Sequence, residues 1–135
     1  MDKKTHAGIV KFEKDLPLIP TMEKRKHTRF LLNLPVEYSY CDSPISYSSH
    51  SINASEGGLL LCLQQLLSVG QYINLKVFFH SGSNLLTIEA IAEVVWVHQV
   101  LKDGEEYHHG VKFVSITKQD LLEFKSFLDA LSPTP

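Results

Sequence analysis

Short apolar stretches rich in β-branched and aromatic residues alternate with turn-forming residues through most of the chain. Stretches of this length, bounded by Gly, Pro, Asn, Asp and Ser, are typical of β-strands rather than of helices. Six strands are predicted in this way, over residues 34–41, 46–53, 59–63, 72–79, 85–98 and 108–114. Their short connections, such as a hairpin turn at residues 81–84, favour an antiparallel arrangement.

The pattern changes after Thr117, where apolar residues recur three and four positions apart: Leu121, Phe124, Leu128 and Leu131. This period predicts an amphipathic helix that buries these four side chains. Thr117 with Asp120 three positions later resembles a capping box, which places the start of the helix there. Six strands followed by one helix predict an all-β fold, a small antiparallel barrel with a C-terminal α-helix.

Residues 1–23 show neither period. Scattered apolar residues together with Pro17 and Pro20 fit no sustained helix or strand, which predicts an irregular or conditionally ordered N-terminal arm. The 135 residues, 44% of them hydrophobic, suffice for one core and leave little room for a second. We therefore expect one domain with a tail.

Cysteine usage and hydropathy indicate the compartment. Cys41 and Cys62 lie far apart and belong to no C-x-x-C pair, which favours two reduced, packed thiols over a disulfide or a zinc site. The apolar stretches are too short for a membrane-spanning helix, and no apolar segment follows the first residues. These features predict a soluble protein of the cytoplasm without membrane insertion.

Charge narrows the class of ligand. A formal net charge of -2 argues against a general nucleic-acid binder, which carries a broad basic surface. The positive charge is instead local, because Lys24, Arg25, Lys26 and Arg29 lie within a segment of six residues. The guanidinium groups of Arg25 and Arg29 can pair with phosphate or with O6 and N7 of guanine. The basic segment therefore predicts a small anion with a guanine base.

A polar turn 24 residues after Arg29 supplies groups suited to the same ligand. Asn53 offers an amide to a base or sugar, and Ser55 offers a hydroxyl to a phosphate. Gly57 and Gly58 permit either a positive φ or a close approach of backbone N–H groups to an anion. Trp96 offers a flat surface for base stacking, although a tryptophan on a Val-rich strand is more often part of the core.

In combination these residues resemble the signature of PilZ domains, Arg-x-x-x-Arg followed by Asn/Asp-x-Ser-x-x-Gly. The positions that match are Arg25, Arg29, Asn53, Ser55 and Gly58. The segments around Trp96 and at 110–113 are also similar to the last strands of that family, and the resemblance covers about residues 24–131. It implies a six-stranded β-barrel with a C-terminal helix that binds cyclic di-GMP and catalyses no reaction.

The resemblance also implies a mode of action. In such domains the arginines lie on a loop before the first strand that folds over the ligand, while the turn holds the ligand from the barrel surface. We expect a stand-alone receptor in which ligand-induced ordering of the arginine loop repositions the arm and acts on an unknown downstream protein. Lys24, just before the first arginine, favours a second, stacked ligand molecule. Both a monomer and a homodimer are compatible with the sequence.

Three alternatives deserve comparison. One is an adaptor of the same fold that binds a protein and no nucleotide, against which the intact signature speaks. Another is a barrel for single-stranded nucleic acid, but Lys76 and Lys112 are nearly alone among the strand residues as cations. The third is an enzyme or metalloprotein. No catalytic motif appears, and His108 and His109 should point to opposite sides of a strand, which prevents them from sharing a metal.

Overall fold

A computed structural model describes residues 9–10, 29–100 and 106–131 of the chain. These residues form eight strands and one helix: β1 (Ile9–Val10), β2 (Phe30–Leu31), β3 (Pro35–Tyr40), β4 (Tyr47–Ser55), β5 (Gly58–Leu63), β6 (Tyr72–Ser81), β7 (Asn84–Val100), β8 (Glu106–Thr117) and α1 (Lys118–Leu131). The six longer strands, β3 to β8, overlap the six that the hydrophobic pattern predicts. At the β6–β7 hairpin, Gly82 has a φ of 66°, as a tight turn requires.

Strands β3 to β8 close into an antiparallel barrel, which confirms the predicted fold class. Around the barrel the order is β8, β5, β4, β3, β6 and β7, and pairing between β7 and β8 completes the circle. The pattern did not predict β1 and β2, because two residues are too few to show a period. β2 pairs with the end of β4, and β1 pairs with the end of β8. The rest of the predicted arm lies outside the described residues.

Alternation along β6 shows how the sequence forms the barrel wall. Ile73, Leu75 and Val77 are each at most 1% exposed, whereas Asn74 and Lys76 between them are exposed. Every second side chain therefore enters the core, as a pleated strand requires. Burial of one such aliphatic side chain stabilises the fold by about 1.5–3 kcal/mol.

Helix α1 begins where the sequence predicts but does not bury all four predicted residues. Phe124 and Leu128 are buried and Leu121 is partly buried, whereas Leu131 is 42% exposed. The prediction for Leu131 is wrong, since it is the final residue of the helix. Phe124 packs against Phe79, with ring centroids 5.6 Å apart, and so joins the helix to the barrel core.

The start of α1 is tied to the barrel by the predicted capping residues in a modified way. Thr117 Oγ1 accepts a hydrogen bond from the Asp120 backbone N at 3.1 Å, as in a capping box. The carboxylate of Asp120, however, accepts from the backbone N of Glu89 in β7 at 3.0 Å. Asp120 therefore connects the helix to a strand.

Two further properties follow from the same structure. Cys41 and Cys62 are both free thiols, as predicted, and Cys62 is buried. The prediction that both thiols are packed is wrong for Cys41, which is exposed in the turn after β3. In the described stretches of the chain, no helix combines the length and the apolar character needed to cross a membrane.

Candidate functional site

The two sequence motifs meet at the end of β4. Pairing of β2 with β4 sets Phe30 opposite Ala54 and Leu31 opposite Asn53, so that Arg29 lies beside the polar turn. Arg29 Nη1 donates a hydrogen bond to Asn53 Oδ1 at 3.4 Å. Because the amide oxygen of Asn53 faces Arg29, its NH₂ group is the part that can donate to a ligand. Lys24 and Arg25 lie outside the described residues.

Ser55 and Gly57 shape the polar turn between β4 and β5. Ser55 is 2% exposed, and its Oγ accepts a hydrogen bond from Gly57 N at 3.2 Å. Gly57 O in turn accepts from Phe113 N at 2.9 Å, which fastens the turn to β8. As placed, the Ser55 hydroxyl supports the turn, and its proton can still be donated to an anion.

Gly58 is required by close packing of two backbones. A Cβ at this position would lie 2.1 Å from the carbonyl oxygen of Val111 in β8. Among the described glycines, positive φ values occur only at Gly70 and Gly82. Of the two roles expected for Gly57 and Gly58, the structure thus supports close approach at Gly58, but the neighbour is strand β8.

Register aligns twelve residues of β4, β5, β8 and β7 in three rows on the outer side of the barrel, a surface we call the four-strand face. Five of them are buried: Ser55, Gly58, Leu60, Cys62 and Gly110. The first row is Ser55, Gly58, Lys112 and Glu93. The second row is Asn53, Leu60, Gly110 and Trp96. The third row is His50, Cys62, His108 and His98. Adjacent strands are about 4.8 Å apart, so each row spans roughly 14 Å, and successive rows are about 7 Å apart.

Two β-bulges turn Asn53 and Trp96 onto this face. The register of β4 with β5 shifts between Ser51 and Asn53, and that of β7 with β8 shifts between Val94 and Trp96. Ser51 and Val94 are fully buried, whereas Asn53 and Trp96 are partly exposed. Without the extra residue in each strand, positions two apart would face the same side. The bulges therefore place the amide and the indole in one row.

Aromatic rings line the far end of the four-strand face. The rings of Trp96 and His98 are nearly parallel, with centroids 6.0 Å apart and an interplanar angle of 13°. His98 also lies 6.4 Å from the ring of His108, measured between centroids. Trp96 is thus part of the surface that carries Asn53, as base stacking would require, and it is absent from the buried core.

The neighbouring histidines of β8 point in opposite directions, as predicted. His109 is fully buried, and its Nε2 accepts a hydrogen bond from Leu67 N at 2.9 Å. Burial lowers the pKa of His109, which favours the neutral ring that this bond requires. His108 is on the four-strand face, where burial and then the neighbouring His98 lower its pKa. In the part of the chain that the structure describes, no three His, Cys, Asp or Glu side chains are grouped to hold a metal ion.

Sequence reasoning did not include several residues of this face among the candidates. Leu60, Gly110 and Lys112 join the rows of Ser55 and Asn53, and His50 and His98 flank them. No spacing along the chain indicates the full rows, because each row joins the β4–β5 hairpin to β7 and β8, which are distant from it in sequence. Only the register of the closed barrel brings them together.

Comparison with known proteins identifies the class. The PilZ domain family model matches residues 23–130, and the chain belongs to this family. No curated protein sequence matches the chain.

Solved structures with the same fold are only distantly related in sequence. The Bacillus subtilis inhibitor of motility MotI/DgrA has a TM-score of 0.68 at 20% identity, over 84% of this chain and 54% of that one. The MrkH–c-di-GMP complex of K. pneumoniae has a TM-score of 0.58 at 18% identity, over 82% and 52%. The PilZ domain of Escherichia coli YcgR with c-di-GMP has a TM-score of 0.59 at 12% identity, over 81% and 92%. The chain therefore spans about half the length of MotI/DgrA and MrkH.

Proposed function

We propose that the chain is a receptor that binds cyclic di-GMP on the four-strand face. The observation that carries this proposal is the hydrogen bond between Arg29 and Asn53. It joins the two halves of the PilZ signature, which are 24 residues apart in sequence, at the edge of one surface. Membership of the PilZ family and the fold shared with YcgR and MrkH, both solved with c-di-GMP, support the choice of ligand.

The donors near Arg29 suit one phosphate and one guanine of the ligand. The guanidinium group of Arg29 can pair bidentately with a phosphate, or with O6 and N7 of a guanine. The Asn53 amide and the Ser55 hydroxyl add neutral donors beside it. Lys112, in the same row as Ser55, is a further cation, directly opposite Glu93 of β7. The first two rows thus provide both charge and hydrogen bonds.

A base-stacking surface completes the site. Trp96 lies in the row of Asn53, roughly 14 Å across three strand spacings. Leu60 and Gly110 lie between them and form a low apolar floor, because glycine has no side chain. A guanine bound over this floor can stack against the indole of Trp96.

The segment before β2 provides the remaining contacts in this proposal. Arg25 joins Arg29 in holding the ligand, and Lys24 favours a second, stacked ligand molecule. Binding would hold this segment against the four-strand face and reposition the arm of residues 1–23, which is the output towards a partner protein. Hydrogen exchange of residues 1–29 tests this step. The backbone amides of this segment should exchange more slowly with ligand than without it.

Calorimetric titration of cyclic di-GMP tests the proposed function. The wild-type chain should bind at micromolar or lower Kd, a free energy of about -8 kcal/mol or better. Arg29→Ala and Asn53→Ala should weaken binding at least tenfold, whereas the matched control Lys76→Ala, on β6, should leave it unchanged. The stoichiometry of the wild-type chain compared with Lys24→Ala tests the role of Lys24.

Two results would contradict the proposal. A wild-type chain that shows a normal thermal unfolding transition but no binding would instead indicate the protein-binding adaptor. Equal affinity for cyclic di-AMP would contradict recognition of guanine, because adenine presents an N6 donor where guanine presents the O6 acceptor.

A further inference from the structure

The third row of the four-strand face concentrates three histidines from three strands. His50 is opposite Cys62, Cys62 is opposite His108, and His108 is opposite His98. This row follows the row of Asn53 and Trp96 at about 7 Å, the rise of two strand residues. None of the three histidines belongs to the PilZ signature.

The titratable groups of the four-strand face, on this row and beside it, come from all four strands. The titratable groups are, on β4, His50; on β5, Cys62; on β8, Glu106, His108 and Lys112; and on β7, Glu93 and His98. Glu106 interacts with Cys62, since burial and then Glu106 raise the pKa of the Cys62 thiol. Imidazoles are therefore the main hydrogen-bond donors at this end of the face.

Two of the histidines also act electrostatically on the third, His108. Burial lowers the pKa of His108, and His98 and His50 lower it further, while Glu106 acts in the opposite direction. The ring centroids of His98 and His108 are 6.4 Å apart. Two charged imidazoles at that distance repel each other, and an anion bound between them would offset the repulsion. The row is therefore a polar surface whose most favourable occupant carries negative charge.

The size of the ligand connects this row to the site already described. A cyclic dinucleotide has two phosphates and two bases on opposite sides of one ring, and Arg29, Asn53 and Ser55 lie together at one end. We propose that His50, His98 and His108 contact the second nucleotide half of the cyclic dinucleotide, donating to its phosphate oxygens or to guanine O6 and N7. This inference rests on the proposed receptor function.

Proton uptake on binding is the property that distinguishes this role. An imidazolium donates from both ring nitrogens, whereas a neutral imidazole donates from one. Contact with a phosphate favours the charged form, so the complex binds more protons than the free components. The affinity should therefore rise as the pH falls from about 8 to about 6, by up to about tenfold per pH unit for each proton taken up.

The test is titration of cyclic di-GMP at pH 6, 7 and 8 in two buffers of different ionisation enthalpy. The wild-type chain should take up protons. Single variants His50→Asn, His98→Asn and His108→Asn should take up fewer and bind at least about fivefold more weakly at pH 6 than the wild type. The matched control is His80→Asn, an exposed histidine of β6 outside the row. It should behave as the wild type.

Fluorescence provides a second readout, because Trp96 is the single tryptophan of the chain. Stacking of a guanine on this indole should change its emission in the wild type and in all three row variants, which measures binding separately from proton uptake. Binding with no proton uptake, and with the same pH profile in all three row variants, would overturn this inference and leave the proposed function intact. No binding by the folded wild-type chain at any pH would overturn both.

Discussion

The four-strand face and the β3–β6 wall, which we define by outward residues Glu37, Lys76 and Glu89, belong to one barrel but differ in charge. In the wall, Lys76 is directly opposite Glu37 on one side and Glu89 on the other. Unlike charges on neighbouring strands attract, so Lys76 is compensated and the wall keeps one negative charge in excess. On the four-strand face, Lys112 is opposite Glu93 in the first row, Arg29 donates to the Asn53 amide, and the third row contains three histidines. Of the two surfaces, the four-strand face is the one on which we propose that an anionic ligand binds.

The two surfaces also differ in regularity. Pairing of β6 with β3 and with β7 runs without a register shift, whereas the pairs β4–β5 and β7–β8 contain bulges. A bulge reverses the side to which later residues point. Irregular pairing is thus concentrated where the side chains of the candidate site are presented, and regular pairing where the strands serve only as a wall.

The largest expected effect is a loss of folding stability when Gly58, on the four-strand face, is substituted. Gly58→Ala would force a Cβ against the Val111 carbonyl oxygen and should lower the free energy of unfolding by about 3 kcal/mol. Gly70→Ala is the matched control, because Gly70 has a positive φ but open space around it. It should cost only about 1 kcal/mol. Urea unfolding measures both, and equal costs would show that the β5–β8 contact tolerates a side chain.

A smaller effect is expected for substitution of Arg29, which tests whether the ligand binds to the four-strand face and not to the wall. Arg29→Ala removes a charged donor and should cost about 1.5–3 kcal/mol of binding free energy, about tenfold to a hundredfold in Kd. Arg29→Lys keeps the charge but loses the planar fork, and should recover only part of the loss. Calorimetry at fixed salt measures both. Full recovery by lysine would mean that charge alone, without bidentate geometry, accounts for the contribution of Arg29.

The buried His109, on the inward side of β8, should make the free energy of unfolding depend on pH. Burial lowers the pKa of His109 in the folded state, so the unfolded chain binds a proton more readily. The contribution of His109 to the free energy of unfolding is fully present above about pH 6.5, the pKa of histidine in the unfolded chain. It falls as the pH drops below that value, by at most about 1.4 kcal/mol per pH unit. His109→Gln keeps an acceptor for Leu67 N and should flatten this dependence. Urea unfolding from pH 7.5 to 5 checks it, and an unchanged slope would assign the effect to other groups.

The smallest expected effect concerns the β3–β6 wall. Lys76→Ala removes an exposed charge between two carboxylates and should lower the free energy of unfolding by only about 0.2–1 kcal/mol. Affinity for cyclic di-GMP should remain that of the wild type. Thermal unfolding and calorimetry measure the two quantities on the same sample. A loss of affinity as large as that of Arg29→Ala would mean that the ligand does not bind selectively on the four-strand face.

Local patterns predicted most of the fold because they depend on neighbours in sequence. Alternation along β6 and the spacing of Phe124 and Leu128 report which side of an element is buried, and the structure confirms both. The prediction failed at Leu131, where the same spacing continues to the last residue of α1. Periodicity shows the apolar side of a helix but not how far along it the barrel core extends.

The candidate site was predictable only in part. The signature motif indicated Arg29, Asn53 and Ser55, and the first two are in contact. It did not indicate that Gly58 is needed by the backbone of β8, or that Lys112 and His98 share the same surface. These relations arise between strands whose distance in sequence varies, so no fixed spacing encodes them.

The amino-acid sequence by itself determined the six strands, the helix and the family, because hydrophobic period, turn residues and a short motif are local properties. The tertiary structure decided which residues share the four-strand face. Bulges in β4 and β7 turn Asn53 and Trp96 outwards, and barrel closure aligns them with Gly110 and with the histidine row. One extra residue in a strand reverses the side of every residue after it, and only pairing with the neighbouring strand shows where that residue lies.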